Sequence, residues 1–263
     1  IGRCANLHIR PGTARRNVRS GHNKQHIILI LDLIKGNNDS GVKKVPNFIG
    51  LSATEPVSVK SILRRLNIQT IYRPMSENSY GVSVKTPNNI MFVLVNSNST
   101  RGRQHFTIAH ELYHLYFDEA PTPHICGEGG KNPTERNADM FASAFLMPRE
   151  GVLKNIPKEE LGNVSISTVL KLEQLFQVSR STLLIRLESL NVITKKQYEE
   201  LSKYSVKESA KNYGYTDLSL YEKGNEGISI TDFGEKARKL FDRGAISEGH
   251  YMELLNMLQY GGN

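Results

Sequence analysis

His110 and His114 stand four residues apart, with Glu111 between them, in the stretch RQHFTIAHELYHLYF at residues 103–117. In a helix, positions i and i+4 share a face, so both imidazoles can reach one cation. Glu111 is turned about 100° from His110 in such a helix, because 3.6 residues make a turn. It therefore flanks the cation rather than binding it, and can take a proton from water polarised by the ion. Catalytic zinc usually has three protein ligands and one open position, so a third ligand must come from elsewhere in the fold. Glu135 in TERNADMFASAFLMP is the best placed, since the 21 residues after His114 leave room for a turn and an antiparallel helix. Asp139 lies one helical turn beyond Glu135 on the same face. There it suits the acceptor of the free N–H of a metal-bound histidine.

Each residue also has a plain reading. With Asn132 as the helix cap, Glu135 occupies the position that closes a capping box, and Asp139 could be a surface acid. A bare His-Glu-x-x-His is a weak signal. The specific signal is the combination of a hairpin, the motif on a helix, and Glu-x-x-Ala-Asp opening the next helix.

The surrounding pattern supplies those elements. Val59, Ile62, Leu63 and Leu66 recur at helical spacing, with Thr54 as a cap and Pro56 in the first turn. IQTIYR at 68–73 reads as a strand, and residues 79–85 and 90–96 read as a hairpin around TPNN. The strand at 90–96 is expected to offer an edge to which an extended substrate could pair. A helix should run from Ser99 or Thr100 to Phe117, followed by a Gly/Pro loop, DEAPTPHICGEGGKNP, and a second helix from Asn132–Pro133 to Pro148. Two short helices follow near 165–177 and 179–190, with Ser179 capping the second. A mixed stretch leads to a helical pattern over 231–259. The expected fold class is α+β: a small antiparallel sheet packed on metal-binding helices, followed by a helical, helix-turn-helix-like region. The expected division is 1–50 as a basic segment and linker, 51–160 as the metallopeptidase domain, 161–195 as the helix-turn-helix-like element, and 196–263 as a mostly helical C-terminal region.

Composition sets the outer bounds. The chain has 263 residues, 38% apolar and 23% charged, which suits a globular protein with a buried core. Its net charge is +8, yet residues 1–50 hold nine Lys/Arg against Asp32 and Asp39, so seven of those charges lie there. The basic segment reads as a solvated arm, or as a contact for nucleic acid or a partner. Two cysteines exclude a disulfide scaffold and a zinc ribbon and suit a reducing cytoplasm. The apolar run at 27–34 is too short to span a bilayer and contains Asp32, so no membrane association is expected.

These segments resemble the ImmA/IrrE family of metallopeptidases. RQHFTIAHELYHLYF is similar to the family's R-x-R-F-T-x-A-H-E-L-G-H-L, and ERNADMFASAFLMP to its E-x-x-A-N-x-F-A-x-x-L-L-M-P. LEQLFQVSRSTLLIRLESLNVI resembles the tail that follows, and the likeness spans roughly residues 55–195. The resemblance implies that His110, His114 and Glu135 hold Zn2+, or another divalent ion such as Mn2+, and that Glu111 is the catalytic glutamate. It implies hydrolysis of peptide bonds in a helix-turn-helix repressor, which relieves repression in phage, mobile-element or stress regulation. Two positions depart from the pattern: Tyr113 stands where Gly is usual, and Asp139 where Asn is usual. Asp keeps the acceptor. An additional oxyanion or substrate contact is expected from His124, with Tyr113 and Arg101 as alternatives by proximity in sequence.

Two other functions compete. Residues 165–190 have helix-turn-helix spacing and could read DNA. However, the second helix offers only Arg180 and Arg186 against Glu188, which favours a packing element over a recognition helix. An antitoxin-like partner-binding protein with a non-catalytic metal site is the other; it leaves Glu111 beside the ligands without a purpose.

Overall fold

The chain is seen in a computed structural model that describes residues 54–117, 124–127 and 133–260. The basic N-terminal segment, nearly all of the linker, and Asn132 as a helix cap lie outside the described residues.

Helix α1 (Val59–Arg65) leads into strand β1 (Ile68–Arg73), followed by β2 (Ser79–Lys85) and β3 (Met91–Asn96). Val59, Ile62 and Leu63 form the buried stripe of α1, as their spacing requires. Ser58 occupies its N-cap position, so Thr54 lies too far upstream to cap it. β1 buries every second residue, the pattern of a strand with one covered face.

The sheet has five strands in the order β4-β2-β3-β1-β5. β2 and β3 form the expected antiparallel hairpin. β1, however, runs parallel to β3, with Ile68 opposite Met91 and Arg73 opposite Asn96, so the sheet is mixed rather than wholly antiparallel. The link at 74–78 carries the chain past the end of β3, and the hairpin then returns β3 between its neighbours. The buried Asn96 fixes this crossing. Its Nδ2 donates to Ser79 O at 2.7 Å and Ser76 O at 3.0 Å, while its Oδ1 accepts from Met75 N at 3.0 Å. β3 is thus internal, and the edge expected of it belongs instead to β4 (His124–Gly127) on one side and β5 (Ser229–Ile230) on the other. β4 pairs antiparallel with β2, and it lies within the stretch expected to be loop.

Helix α2 (Arg101–Phe117) lies across β2 and β3 and packs beside α3 (Pro133–Leu146). Ile108, Ala109, Leu112 and Leu115 bury its apolar face. Its first turn approaches the turn before Ser179 so closely that a Cβ on Gly102 would lie 2.8 Å from Ser179 N. A short helix α4 (Arg149–Lys154) follows, then α5 (Ile166–Phe176) and α6 (Arg180–Ser189). Ser165 and Ser179 cap the last two by accepting from Thr168 N and Thr182 N. Val169, Leu172, Leu183 and Leu187 belong to the same apolar cluster as Leu112, Ala138 and Leu146. Arg180 pairs with Glu173 in the interior, and Arg186 Nε donates to Met147 O at 3.0 Å. Both arginines of the supposed recognition helix are therefore engaged within the protein.

Helices α7 (Lys195–Ser202) and α8 (Val206–Asn212) precede a return of the chain to the sheet. Buried Gln104 secures that return: Nε2 donates to Gly224 O and Ser99 O, each at 2.9 Å, and Oε1 accepts from Asn225 Nδ2 at 2.7 Å. β5 then adds antiparallel to β1. The helical pattern near the end resolves into α9 (Phe233–Asp242) and α10 (Glu248–Tyr260), joined by stacking of Phe241 on Tyr251. Among the described residues, no helix is long and apolar enough to cross a membrane.

Candidate metal centre

α2 and α3 bring His110, His114 and Glu135 to one point. His110 Nε2 lies 3.1 Å from His114 Nε2 and 3.2 Å from Glu135 Oε2, and His114 Nε2 lies 3.6 Å from Glu135 Oε1. A tetrahedral zinc site with bonds of about 2.0–2.1 Å has ligand-to-ligand edges of about 3.3–3.4 Å. The three separations bracket that edge, and the group offers one ligand atom from each residue. Both histidines are buried, so their rings are held in place by packing.

The second nitrogen of His110 decides what the first can do. Nδ1 lies 2.9 Å from Asp139 Oδ1. Donation of its N–H to that carboxylate leaves Nε2 as a lone pair, aimed at another ring nitrogen and a carboxylate oxygen. Acceptors crowded in this way repel unless a cation lies among them, and one proton can serve only one pair. The donor set therefore fits a divalent ion of the kind that accepts nitrogen and oxygen ligands. Burial pulls the His110 pKa down. The hydrogen bond and charge of Asp139, with the charges of Glu111 and Glu135, outweigh this and leave it above the ordinary value. The same negative surroundings favour a metal cation.

Asp139 is 61% exposed, so it is at once a surface acid and the partner of His110. Glu111 is the opposite, with no exposed surface. It faces β2, where the Cβ position of Gly81 is 2.9 Å from its Oε1.

The other expected contacts divide. His124 opens β4 and pairs with Ser83 of β2. Tyr113 is buried behind the ligands; its ring meets His114 edge-on at 5.7 Å and packs on Phe117 at 4.9 Å and Phe141 at 6.0 Å. The bulky residue at this position thus forms an aromatic wall with α3. Arg101 starts α2, nine residues before His110 and hence about 13 Å away along the axis at 1.5 Å per residue. Its backbone N–H donates to Glu222 O at 2.9 Å and its guanidinium lies against Gly224, so it belongs to the far end of the helix and not to the site. Two features escaped the sequence reading. Arg103 lies over the Tyr80 ring at 4.0 Å, tying α2 to β2. Gly81, beside Tyr80, is a glycine in a strand interior, a position that often marks close approach of another element.

Residues 63–188 match the family model described as the IrrE N-terminal-like domain, Peptidase_M78. That span contains all three converging side chains, His110, His114 and Glu135, together with Glu111 and Asp139. No curated protein matches the chain.

Proposed function

We propose, for a chain whose residues 63–188 match the IrrE N-terminal-like domain of peptidases, that it is a metal-dependent endopeptidase with His110, His114 and Glu135 as ligands and Glu111 as the general base. The observation that supports this most is the convergence of Nε2 of both histidines with the Glu135 carboxylate at 3.1 to 3.6 Å. When bound, zinc or a similar divalent ion supplies Lewis acidity for the attacking water and the scissile carbonyl.

The remaining work falls to the chain itself. Asp139 holds the His110 ring by accepting its Nδ1–H, which fixes the tautomer and the direction of Nε2. Glu111 takes the proton of the attacking water and returns it to the leaving amine. Its burial keeps bulk water from competing for that carboxylate. Tyr113, Phe117 and Phe141 close the site from behind. An extended substrate adds to the outer edge of β4, where backbone groups are offered for strand pairing. His124, at the start of that strand, is the nearest residue in sequence to supply a further substrate contact. The proposed substrate is a helix-turn-helix repressor in the cytoplasm, a choice that rests on the family resemblance.

Metal analysis and a single substitution test this reading. The purified protein should carry one equivalent of zinc or another divalent ion. Glu111→Gln should keep that metal and cleave a co-expressed helix-turn-helix repressor, such as one encoded beside its gene, about 10²–10⁴ times more slowly, the usual contribution of a general base. Cleavage at the parental rate would remove Glu111 from the mechanism.

A further inference from the structure

We propose that Gly81 is a positioning residue for Glu111: the missing side chain on β2 sets where the glutamate carboxylate can stand beside the metal ligands. This rests on the reading of Glu111 as the general base.

A Cβ built on Gly81 would lie 2.6 Å from Thr107 Cγ2, 2.9 Å from Glu111 Oε1 and 3.3 Å from Leu94 O. Thr107 and Glu111 are four residues apart, so they form one ridge of α2 that faces β2 at this point. The requirement is for space and not for an unusual backbone, because Gly81 is absent from the residues with positive φ. Alanine could adopt the same strand conformation and would fail only by collision.

Neither backbone at the contact can withdraw. β2 is held from both flanks, with Gly81 opposite Val95 of β3 and Cys126 of β4. The pairing with β4 shifts register between Ser79 and Gly81, a local irregularity at this place. On the other side, α2 is fixed by its buried face, and Glu111 has no exposed surface through which to swing outward. A methyl group at position 81 therefore moves the carboxylate of Glu111 sideways within its slot. The three heavy atoms nearest to it belong to Thr107, Glu111 and Leu94, so the strain falls first on those residues and not on His110, His114 or Glu135.

Gly81→Ala, Thr107→Ser and the double variant separate positioning from packing. Thr107→Ser removes the methyl group that the new Cβ would strike first, and leaves Glu111 untouched. The full-length protein is loaded with zinc, and its melting temperature, metal content and cleavage of the neighbouring repressor are measured. Gly81→Ala should bind one metal and melt lower. The double variant should recover the melting temperature of Thr107→Ser yet keep kcat reduced about a hundredfold, the scale of loss for a misplacement near 1 Å, with KM little changed. If kcat returns together with the melting temperature, Gly81 is only a packing residue and the proposal is wrong. A cobalt(II)-loaded sample gives a readout without substrate: three protein ligands leave one position open to solvent beside Glu111, so a displaced carboxylate should alter the visible spectrum between Thr107→Ser and the double variant, and superimposable spectra overturn the proposal. Glu111→Gln, run alongside, tells the two readings apart. Cleavage by that variant at the parental rate sinks both, whereas a silent Glu111→Gln with a fully active Gly81→Ala sinks only this one.

Discussion

Two regions of this molecule bury acids, and they balance the charge differently. Between α5, α6 and α8, Glu173 has no exposed side-chain surface and Arg180 only 4%, and they form an ion pair. Arg180 Nη2 also donates to Glu173 Oε2 at 3.2 Å and to Ser209 Oγ at 3.1 Å, while the Tyr221 hydroxyl donates to Glu173 Oε2 at 2.7 Å. Burial, reinforced by the charge of Glu173, pushes the Tyr221 pKa well above the ordinary tyrosine value, so the hydroxyl stays a donor. Between α2 and α3, Glu135 instead faces two imidazole nitrogens, and Asp139 stands against the other nitrogen of one of those rings. The first region carries its own cation in a side chain. The second gathers acceptors and fits a cation from solution. An internal ion pair holds helices together; a cluster of converging lone pairs is a place for chemistry.

Perturbing each region should separate these roles. Arg180→Ala leaves Glu173 buried and uncompensated, and should cost about 3–5 kcal/mol in urea unfolding regardless of zinc. Replacing both partners with apolar residues of similar volume should restore most of that loss. At the other region, zinc at a hundred times its dissociation constant should stabilise the parent by about 2.7 kcal/mol. His114→Ala should abolish this zinc-dependent rise in melting temperature; an undiminished rise would place the ion elsewhere. Asp139→Ala should weaken zinc affinity about 10–100-fold, as loss of a ligand's hydrogen-bond partner does, measured by competition with a chelator. The smallest effect belongs to the helix pair itself. Ser179→Ala should cost about 1 kcal/mol through the lost cap, with metal affinity unchanged.

The difference between the two regions also governs what could be read in the sequence. α2, α3, β1, the β2–β3 hairpin and the capped helices α5 and α6 were legible because each carries its own period or cap. Glu135 could be read as a cap or as a ligand, and the packing of α3 on α2 turns its carboxylate toward both imidazoles. Asp139 could be read as a surface acid or as a partner, and it is both. β4 was not legible, because HICG is four residues in a Gly/Pro-rich stretch and is made a strand by pairing with β2. The parallel direction of β1 leaves no trace in local pattern, since alternation is the same either way. β5 is two residues long and exists only through β1. The Glu173–Arg180 pair was invisible for the same reason as β5: its partners meet only after the helices have packed.

Gln104 carries a consequence for the order in which a nascent chain can fold. Its buried carboxamide sits in the first turn of α2, yet two of its partners, Gly224 and Asn225, are 120 and 121 residues farther along. While synthesis has not reached them, Nε2 has Ser99 O as a local partner, but Oε1 must stay hydrated or remain unmatched in a closing interior. The N-terminal turn of the helix that holds His110 and His114 can therefore lock fully only after the ribosome has delivered residues 224 and 225. Chains cut short before that point would retain the motif and lose the clasp at its root.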